Sequence, residues 1–158
     1  MEPRGAVARP SARVLLLDEN YCCLLFASRD SGGEFWYPPG GALEQGEDFE
    51  DAARREVFEE TGLSDIALSH EVWHRRVELE WDRQRYDCDE RYFVSRVDRF
   101  TPDTSNFTAA ERQTIETFRW WSLDELHATS TRLIPADLAR ELQLIHEGGL
   151  PLVSRDLT

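Results

Sequence analysis

The chain has 158 residues, of which 31 are Asp or Glu and 18 are Lys or Arg, so its formal net charge at pH 7 is −13. Every basic residue is an arginine, which excludes Schiff-base chemistry and any lysine nucleophile. The acidic excess argues against partners such as duplex nucleic acid and anionic membranes, because basic groups supply most of the affinity for both. The length and the hydrophobic fraction of 41% predict a single folded domain, 1–158.

The termini and the cysteines indicate the cellular compartment. Cys22, Cys23 and Cys88 are odd in number and lack CxxC spacing, so we expect neither a disulfide framework nor a structural zinc site. Residues 1–11 carry no apolar run of the kind found in signal peptides, and no apolar run is long enough to span a bilayer. We therefore expect a cytoplasmic protein in which residues 1–11 form a loose lead-in.

The first half of the chain reads as strands followed by a helix. Short apolar runs predict three strands, at 12–17, 21–27 and 35–37. A helix is predicted over 48–61, because Asp48 suits the N-cap and Gly62 suits a left-handed C-cap. Apolar residues at four-residue spacing mark the helix face expected to pack on the sheet: Phe49, Ala53 and Val57.

The second half alternates strands with short helices. Alternating hydrophobicity predicts two long strands, at 73–81 and 86–94, joined by a turn at 82–84. A polar loop at 101–114 precedes a strand near 118–121, a short helix from Ser122 and a last helix over 135–148. This order predicts an α/β domain in which helices cover both sides of a mixed sheet.

Three glutamates stand out on the first helix. Glu56, Glu59 and Glu60 are spaced at i, i+3 and i+4, so they share one helix face beside the apolar ridge. Like charges at this spacing repel one another, and the chain has no lysine to offset them. The face is either simply solvated or binds a hard divalent cation such as Mg²⁺, which prefers carboxylate oxygens. Helix geometry alone leaves both interpretations open.

The residues around this helix follow a fixed spacing: Gly41, five residues, Glu47, seven residues, Arg55-Glu56-Val57, one residue, Glu59-Glu60, one residue, Gly62-Leu63. The segment resembles the Nudix box of the MutT-like Nudix hydrolase family, with every fixed position filled. The Trp36-Tyr37-Pro38-Pro39-Gly40-Gly41 stretch also resembles a lead-in common in that family. The resemblance implies the Nudix fold, an α/β/α sandwich, and metal-dependent hydrolysis of a nucleoside diphosphate linked to another group.

The resemblance also implies roles for individual residues. Mg²⁺, or alternatively Mn²⁺, would be bound by box residues: Glu56, Glu59, Glu60, Glu47 and the backbone of Gly41. Glu59 and Glu60 are expected to form the central pair of ligands. Arg55 would orient the carboxylates by charge-assisted hydrogen bonds. The catalytic base is either Glu59 or a glutamate on a later loop, for which Glu111 is the main candidate.

Substrate contacts are less specific in the sequence. Candidates for stacking on a nucleobase are Trp36, Tyr37, Trp73 and Trp81, although core packing is the commoner role for each. Candidates for gripping phosphate or ribose are Arg29, Arg75, Arg76 and Arg91, although surface charge accounts for each at least as well. Family markers for other substrates are missing, which favours a (d)NTP or another small nucleotide. The alternative is a non-catalytic Nudix-like nucleotide sensor, against which the complete set of box glutamates argues. The resemblance also makes a homodimer an expectation.

Overall fold

The computed structural model describes residues 5–158. Within that range the strands are β1 (Val7–Leu17), β2 (Cys23–Asp30), β3 (Gly33–Tyr37), β4 (Gly40–Ala42), β5 (Trp73–Trp81), β6 (Gln84–Arg96), β7 (Thr117–Trp121), β8 (Arg132–Leu133) and β9 (Arg155–Leu157). The helices are α1 (Phe49–Thr61), α2 (Ala109–Thr114), α3 (Leu123–Ala128) and α4 (Leu138–Gly148). None of these helices is long and apolar enough to cross a membrane.

The strands form one mixed sheet in the order β8-β3-β2-β1-β6-β5-β9, with β4 paired to β1 and β7 paired to β2. β1 lies at its centre and runs parallel to β6 from Val7 to Leu17. The expectation of a loose lead-in is therefore wrong for residues 7–11, while residues 1–4 lie outside the described part of the chain. Backbone hydrogen bonding to β6 and β4 holds this polar segment in the sheet, and hydrophobic periodicity does not reveal such pairing.

Two hydrophobic clusters cover the two faces of the sheet. On one face, Val14 and Leu16 of β1 pack with Ala53 and Val57 of α1. On the other face, the alternate β1 residues Leu15 and Leu17 pack with residues of α3 and α4: Leu126, Leu138 and Leu142. Alternation along a single strand thus supplies both cores. The arrangement confirms the predicted α/β/α sandwich.

Helix α1, which carries the three glutamates, is fixed at both ends by the predicted caps. The Asp48 carboxylate accepts a hydrogen bond from the Asp51 backbone N–H (2.7 Å), and the Asp51 carboxylate accepts one from the Asp48 N–H (3.2 Å). Gly62 adopts the left-handed conformation (φ 78°), and its N–H donates to the Phe58 carbonyl. These local signals confirm the helix predicted over 48–61 to within one residue.

Gly62→Ala should lower the free energy of unfolding by about 1–3 kcal/mol, because a side chain is strained in the left-handed region. A Cβ at this position would also lie 2.9 Å from Cβ of Asp103. Urea denaturation measures the loss. Gly148→Ala is the matched control, because a Cβ there meets no atom within 4 Å. Equal stability of the two variants would contradict the strain at the helix end.

Several elements differ from the sequence prediction. The β5–β6 hairpin turns through Asp82 (φ 49°) and Arg83 (φ 62°), so the predicted turn forms without glycine. The segment 101–114, predicted as a loop, ends in helix α2, and the last helix begins at Leu138 rather than Pro135. Strands β4, β8 and β9 have at most three residues each and were not predicted. Such short strands form only because a longer neighbour supplies the pairing.

Candidate active site

The Gly40–Gly41 pair forms the junction between the sheet and the glutamate helix. Gly40 and Gly41 lie opposite Arg13 and Ala12 in the β1–β4 pairing. A Cβ on Gly40 (φ 148°) would lie 2.0 Å from the Ala12 carbonyl oxygen, and a Cβ on Gly41 would lie 2.5 Å from Oε1 of Glu56. Gly40 therefore requires glycine, because a Cβ there would meet the β1 backbone, whereas a Cβ at Gly41 would displace the Glu56 carboxylate.

The structure brings three carboxylates together. Glu56, Glu59 and Glu111 each offer an oxygen atom, and these atoms all lie within 4.8 Å of one another. Glu111 reaches the group from α2, where its carboxylate accepts a hydrogen bond from the Thr108 backbone N–H (2.9 Å). Two elements that are separate in sequence thus converge on one acidic centre. The structure joins Glu111 to the box glutamates and does not include Glu60 or Glu47 in this group.

Glu60 lies deeper than its neighbours. Its side chain is almost completely buried, Oε1 accepts a hydrogen bond from the Gly40 N–H (3.3 Å), and Oε2 has no hydrogen-bond partner among residues 5–158. Burial and the adjacent Glu56 raise the pKa of Glu60 well above its ordinary value. The same two causes raise the pKa of Glu59. Clustered carboxylates and an orphaned oxygen are the donor set that a hard divalent cation satisfies, so the residues fit Mg²⁺ or Mn²⁺.

Arg55 connects the acidic centre to the loop before the helix. It binds Glu47 through two hydrogen bonds (2.8 and 2.9 Å), and its Nη1 donates to Glu56 (2.9 Å) and Glu59 (3.2 Å). Its Nη2 also donates to the Ala42 carbonyl (3.0 Å). The hydrogen bond to Glu47 raises the pKa of Arg55, and in return Arg55 lowers the pKa of Glu47. Glu47 therefore anchors Arg55, which in turn orients the two carboxylates.

A cleft of about 480 Å³ extends from the acidic centre across the sheet. Gly40, Gly41, Glu60 and Glu111 line the end near the carboxylates. Apolar side chains from two strands and two loops line the cleft further along: Phe35, Tyr37, Val77, Leu79, Ile115 and Ile134. Arg13, Arg75 and Glu90 line the cleft between these side chains. Its volume lies in the range of ligand sites for molecules of nucleotide size.

Three of the residues predicted to bind substrate lie outside this cleft, whereas Arg75 and Tyr37 line it. Arg29 is exposed and pairs with glutamates at the surface, and Arg76 is exposed and lies 3.9 Å from Asp89. Trp36 is 7% exposed and packs edge-on against Trp121, with ring centroids 5.2 Å apart. Strand alternation explains all three positions, because the adjacent residues face the cleft: Ser28, Asp30, Phe35, Tyr37, Arg75 and Val77.

The sequence named Arg75 as a candidate phosphate contact but did not identify its ion pair with Glu90, although a signal for this pair was present. Glu90 lies in phase with Cys88 and Tyr92 on β6, and Arg75 lies in phase with Trp73 and Val77 on β5. The β5–β6 register pairs Arg75 directly with Glu90. Opposite charges placed at inward positions of neighbouring strands indicate a buried ion pair. Arg13 gave no such signal within its apolar strand.

A family model described as the NUDIX domain matches residues 7–142, so the chain belongs to the Nudix family. It is an enzyme of the Nudix pyrophosphohydrolase class, as the names of its relatives also indicate. An RNA pyrophosphohydrolase of Sphingopyxis alaskensis is 30% identical over 155 residues, which cover 92% of this chain and 94% of the relative. An oxidized purine nucleoside triphosphate hydrolase of Mus musculus is 31% identical over 113 residues, which cover 72% of this chain and 65% of the relative.

Solved structures share the fold. A MutT protein from Methanosarcina mazei superposes with a TM-score of 0.64 at 18% identity, covering 90% of this chain and 95% of its own. An Ap4A hydrolase from C. elegans superposes with a TM-score of 0.65 at 19% identity, and the superposition covers 89% of this chain and 98% of the C. elegans chain. The predicted Nudix fold is thereby confirmed.

Proposed function

We propose that the protein hydrolyses a phosphoanhydride bond in a small nucleotide, with a (d)NTP as the favoured substrate, by attack of water on phosphorus. One observation carries the proposal: Glu56, Glu59 and Glu111 converge at the end of a cleft of nucleotide size. Phosphoanhydride hydrolysis requires positioning and neutralisation of charge more than covalent chemistry. The site offers acidic groups for a cation and a cleft for the rest of the substrate.

Glu56, Glu59 and Glu111 would hold Mg²⁺ or Mn²⁺, with Glu60 and the backbone of Gly41 close by. When bound, such an ion neutralises diphosphate oxygens and lowers the pKa of water. Arg55 fixes the direction of the Glu56 and Glu59 carboxylates through its anchor on Glu47.

Glu59 and Glu111 both meet the geometric requirement for the base that takes the proton from the attacking water, since both face the same centre. Glu59 accepts a hydrogen bond from the Arg55 guanidinium, which disfavours its protonation, whereas burial and Glu56 favour it. Glu111 accepts a backbone hydrogen bond instead and lies on a separate element. Substituting Glu59 and Glu111 one at a time therefore distinguishes which of the two is the base.

The expected result of a substrate screen is hydrolysis of at least one nucleoside triphosphate in Mg²⁺ or Mn²⁺, with complete loss after addition of EDTA. Chromatography of the products locates the cleaved bond, because release of pyrophosphate and of orthophosphate are distinguishable. Hydrolysis in H₂¹⁸O then identifies the phosphorus that is attacked. If no nucleotide is hydrolysed although metal binding is confirmed by calorimetry, the sensor alternative replaces the hydrolase.

A second candidate substrate is the 5′ end of an RNA, which the similarity to an RNA pyrophosphohydrolase over 92% of the chain favours. The net charge of −13 opposes long contacts along an RNA backbone, so recognition would be confined to the terminal nucleotide. The screen therefore includes a short 5′-triphosphorylated oligoribonucleotide. A higher kcat/KM for the oligonucleotide than for the matching nucleoside triphosphate would identify RNA as the substrate.

A further inference from the structure

An ion-pair triad lies in the cleft, with its Arg13 member next to the acidic end at Gly40. Glu90 on β6 is 6% exposed and lies between two arginines. Arg75 on β5 donates to one of its oxygens through Nη1, and Arg13 on β1 approaches the other through Nε at 3.4 Å. Arg13 also donates to the backbone carbonyls of Pro38 (3.3 Å) and Gly40 (3.0 Å). Strands on both sides of the carboxylate thus hold it in one orientation.

The triad keeps unused hydrogen-bonding capacity. A carboxylate oxygen has two lone pairs, and each oxygen of Glu90 receives one arginine hydrogen bond, so each can accept one more. Nε of Arg75 has no hydrogen-bond partner in the described part of the chain. The triad therefore offers a ligand two acceptors side by side, next to a donor group.

The apolar side chains of the cleft suit a planar ring. Phe35 and Tyr37 of β3 lie with their ring centroids 5.6 Å apart, and Val77 and Leu79 of β5 also line the cleft. In the sheet, β3 and β5 lie on opposite sides of the β1–β6 pair that carries Arg13 and Glu90. An apolar site with a few fixed polar groups recognises a flat heterocycle by stacking and by hydrogen bonds to its edge.

We propose that Glu90, held between Arg13 and Arg75, determines the specificity of the enzyme for the nucleobase and selects guanine. The Watson–Crick edge of guanine carries two adjacent donors, N1–H and the 2-amino group, beside the acceptor O6. The donors match the two oxygens of Glu90, and O6 matches Arg75. Adenine, cytosine and uracil lack the adjacent pair of donors. The inference rests on the proposed function, because it places the nucleoside of the substrate in the cleft.

The first test compares GTP, ITP and ATP with the wild-type enzyme. ITP differs from GTP only by loss of the 2-amino group, so kcat/KM should be about 10 to 100 times higher for GTP, the range expected for one hydrogen bond to a charged acceptor. ATP should be hydrolysed less efficiently than ITP. Equal values of kcat/KM for GTP and ITP, or a preference for ATP, would overturn the inference and leave the proposed hydrolase intact.

The second test uses Glu90→Gln, in which an amide replaces one of the two acceptors. The GTP/ITP ratio should fall to about one, because the variant can no longer accept both guanine donors. Glu78→Gln is the matched control, since Glu78 lies on the exposed part of β5 and pairs with Arg85. The control should keep the wild-type ratio. An unchanged ratio in a folded Glu90→Gln protein would contradict the role of Glu90.

Binding of GMP, IMP and AMP, measured by calorimetry without turnover, separates this inference from the proposed function. GMP should bind the wild-type protein at least about tenfold more tightly than IMP. Preferred binding of GMP together with no hydrolysis of any triphosphate would reject the hydrolase and support guanine selection. Equal affinities, or no binding of GMP, would reject guanine selection whatever the activity.

Discussion

Glu59→Gln should lower kcat by about three orders of magnitude and leave the fold intact. The substitution keeps the size of the side chain but removes one of the charges that converge within 4.8 Å. Because Glu59 is only partly buried and is one of several partners of Arg55, we expect little change in the free energy of unfolding. Steady-state kinetics with Mg²⁺, and calorimetric titration of the nucleotide-free protein with Mn²⁺, measure activity and metal affinity separately.

Glu50→Gln is the control for this experiment, because Glu50 is exposed in the first turn of the same helix and is neither in the carboxylate group nor in the lining of the cleft. Glu111→Gln, measured alongside, distinguishes the two candidate bases. Substitution of a base that is not a metal ligand should lower kcat and leave the Mn²⁺ affinity unchanged. Substitution of a metal ligand should lower both. Hydrolysis by Glu59→Gln at the wild-type rate would show that the acidic centre is not the site of reaction.

The sequence was most informative where structure depends on local interactions. The caps of α1 and the spacing of its glutamates are set by neighbours within four residues, and the structure reproduces them. Helix α2 also carries a local signal, since Thr108 and Glu111 form a capping box, but no apolar periodicity follows them. The position of Glu111 beside Glu56 and Glu59 depends on how the loop after β6 returns to the sheet, which local patterns do not specify.

The substrate side of the site was harder to predict, because it depends on strand phase. Trp36 and Tyr37 are neighbours in sequence, yet one packs in the core and the other lines the cleft. A shift of one residue reverses the face on which every side chain of a strand lies. Composition offered both Trp36 and Tyr37 as stacking residues, whereas the register of β3 places only Tyr37 of these two in the cleft, together with Phe35.

The acidic excess also has a defined location. Residues 41–63 contain eight acidic residues and two arginines, so this short segment accounts for −6 of the net charge of −13. Arg54 donates to the Ile66 carbonyl, and Arg55 is engaged by the glutamates of the site. Arginines elsewhere line the other part of the cleft. The cleft therefore joins an acidic end, which suits a cation, to a triad of mixed charge, which suits a polar heterocycle.

Glu60→Gln should have opposite effects on stability and activity. Glu60 is 1% exposed, its Oε2 lacks a hydrogen-bond partner among the described residues, and Glu56 lies against it. Replacing the acid by a neutral amide removes the cost of burying a charge beside another carboxylate. We expect the metal-free variant to be more stable than the wild-type protein by about 1–3 kcal/mol at neutral pH. In Mg²⁺ we expect kcat to fall by about two orders of magnitude or more.

The stability gain should depend on pH in a defined direction. Burial raises the pKa of Glu60 in the folded protein above its ordinary value of 4.5, so the unfolded chain releases this proton at a lower pH than the folded one. The wild-type protein therefore loses stability through Glu60 as the pH rises from about 5 toward the raised pKa, and the glutamine variant lacks this contribution. Urea denaturation in EDTA at several pH values measures the widening difference, with Glu50→Gln as the control. If the metal-free Glu60→Gln variant is no more stable than the wild-type protein, burial of Glu60 has no measurable cost. If the variant turns over substrate at the wild-type rate in Mg²⁺, Glu60 has no part in catalysis.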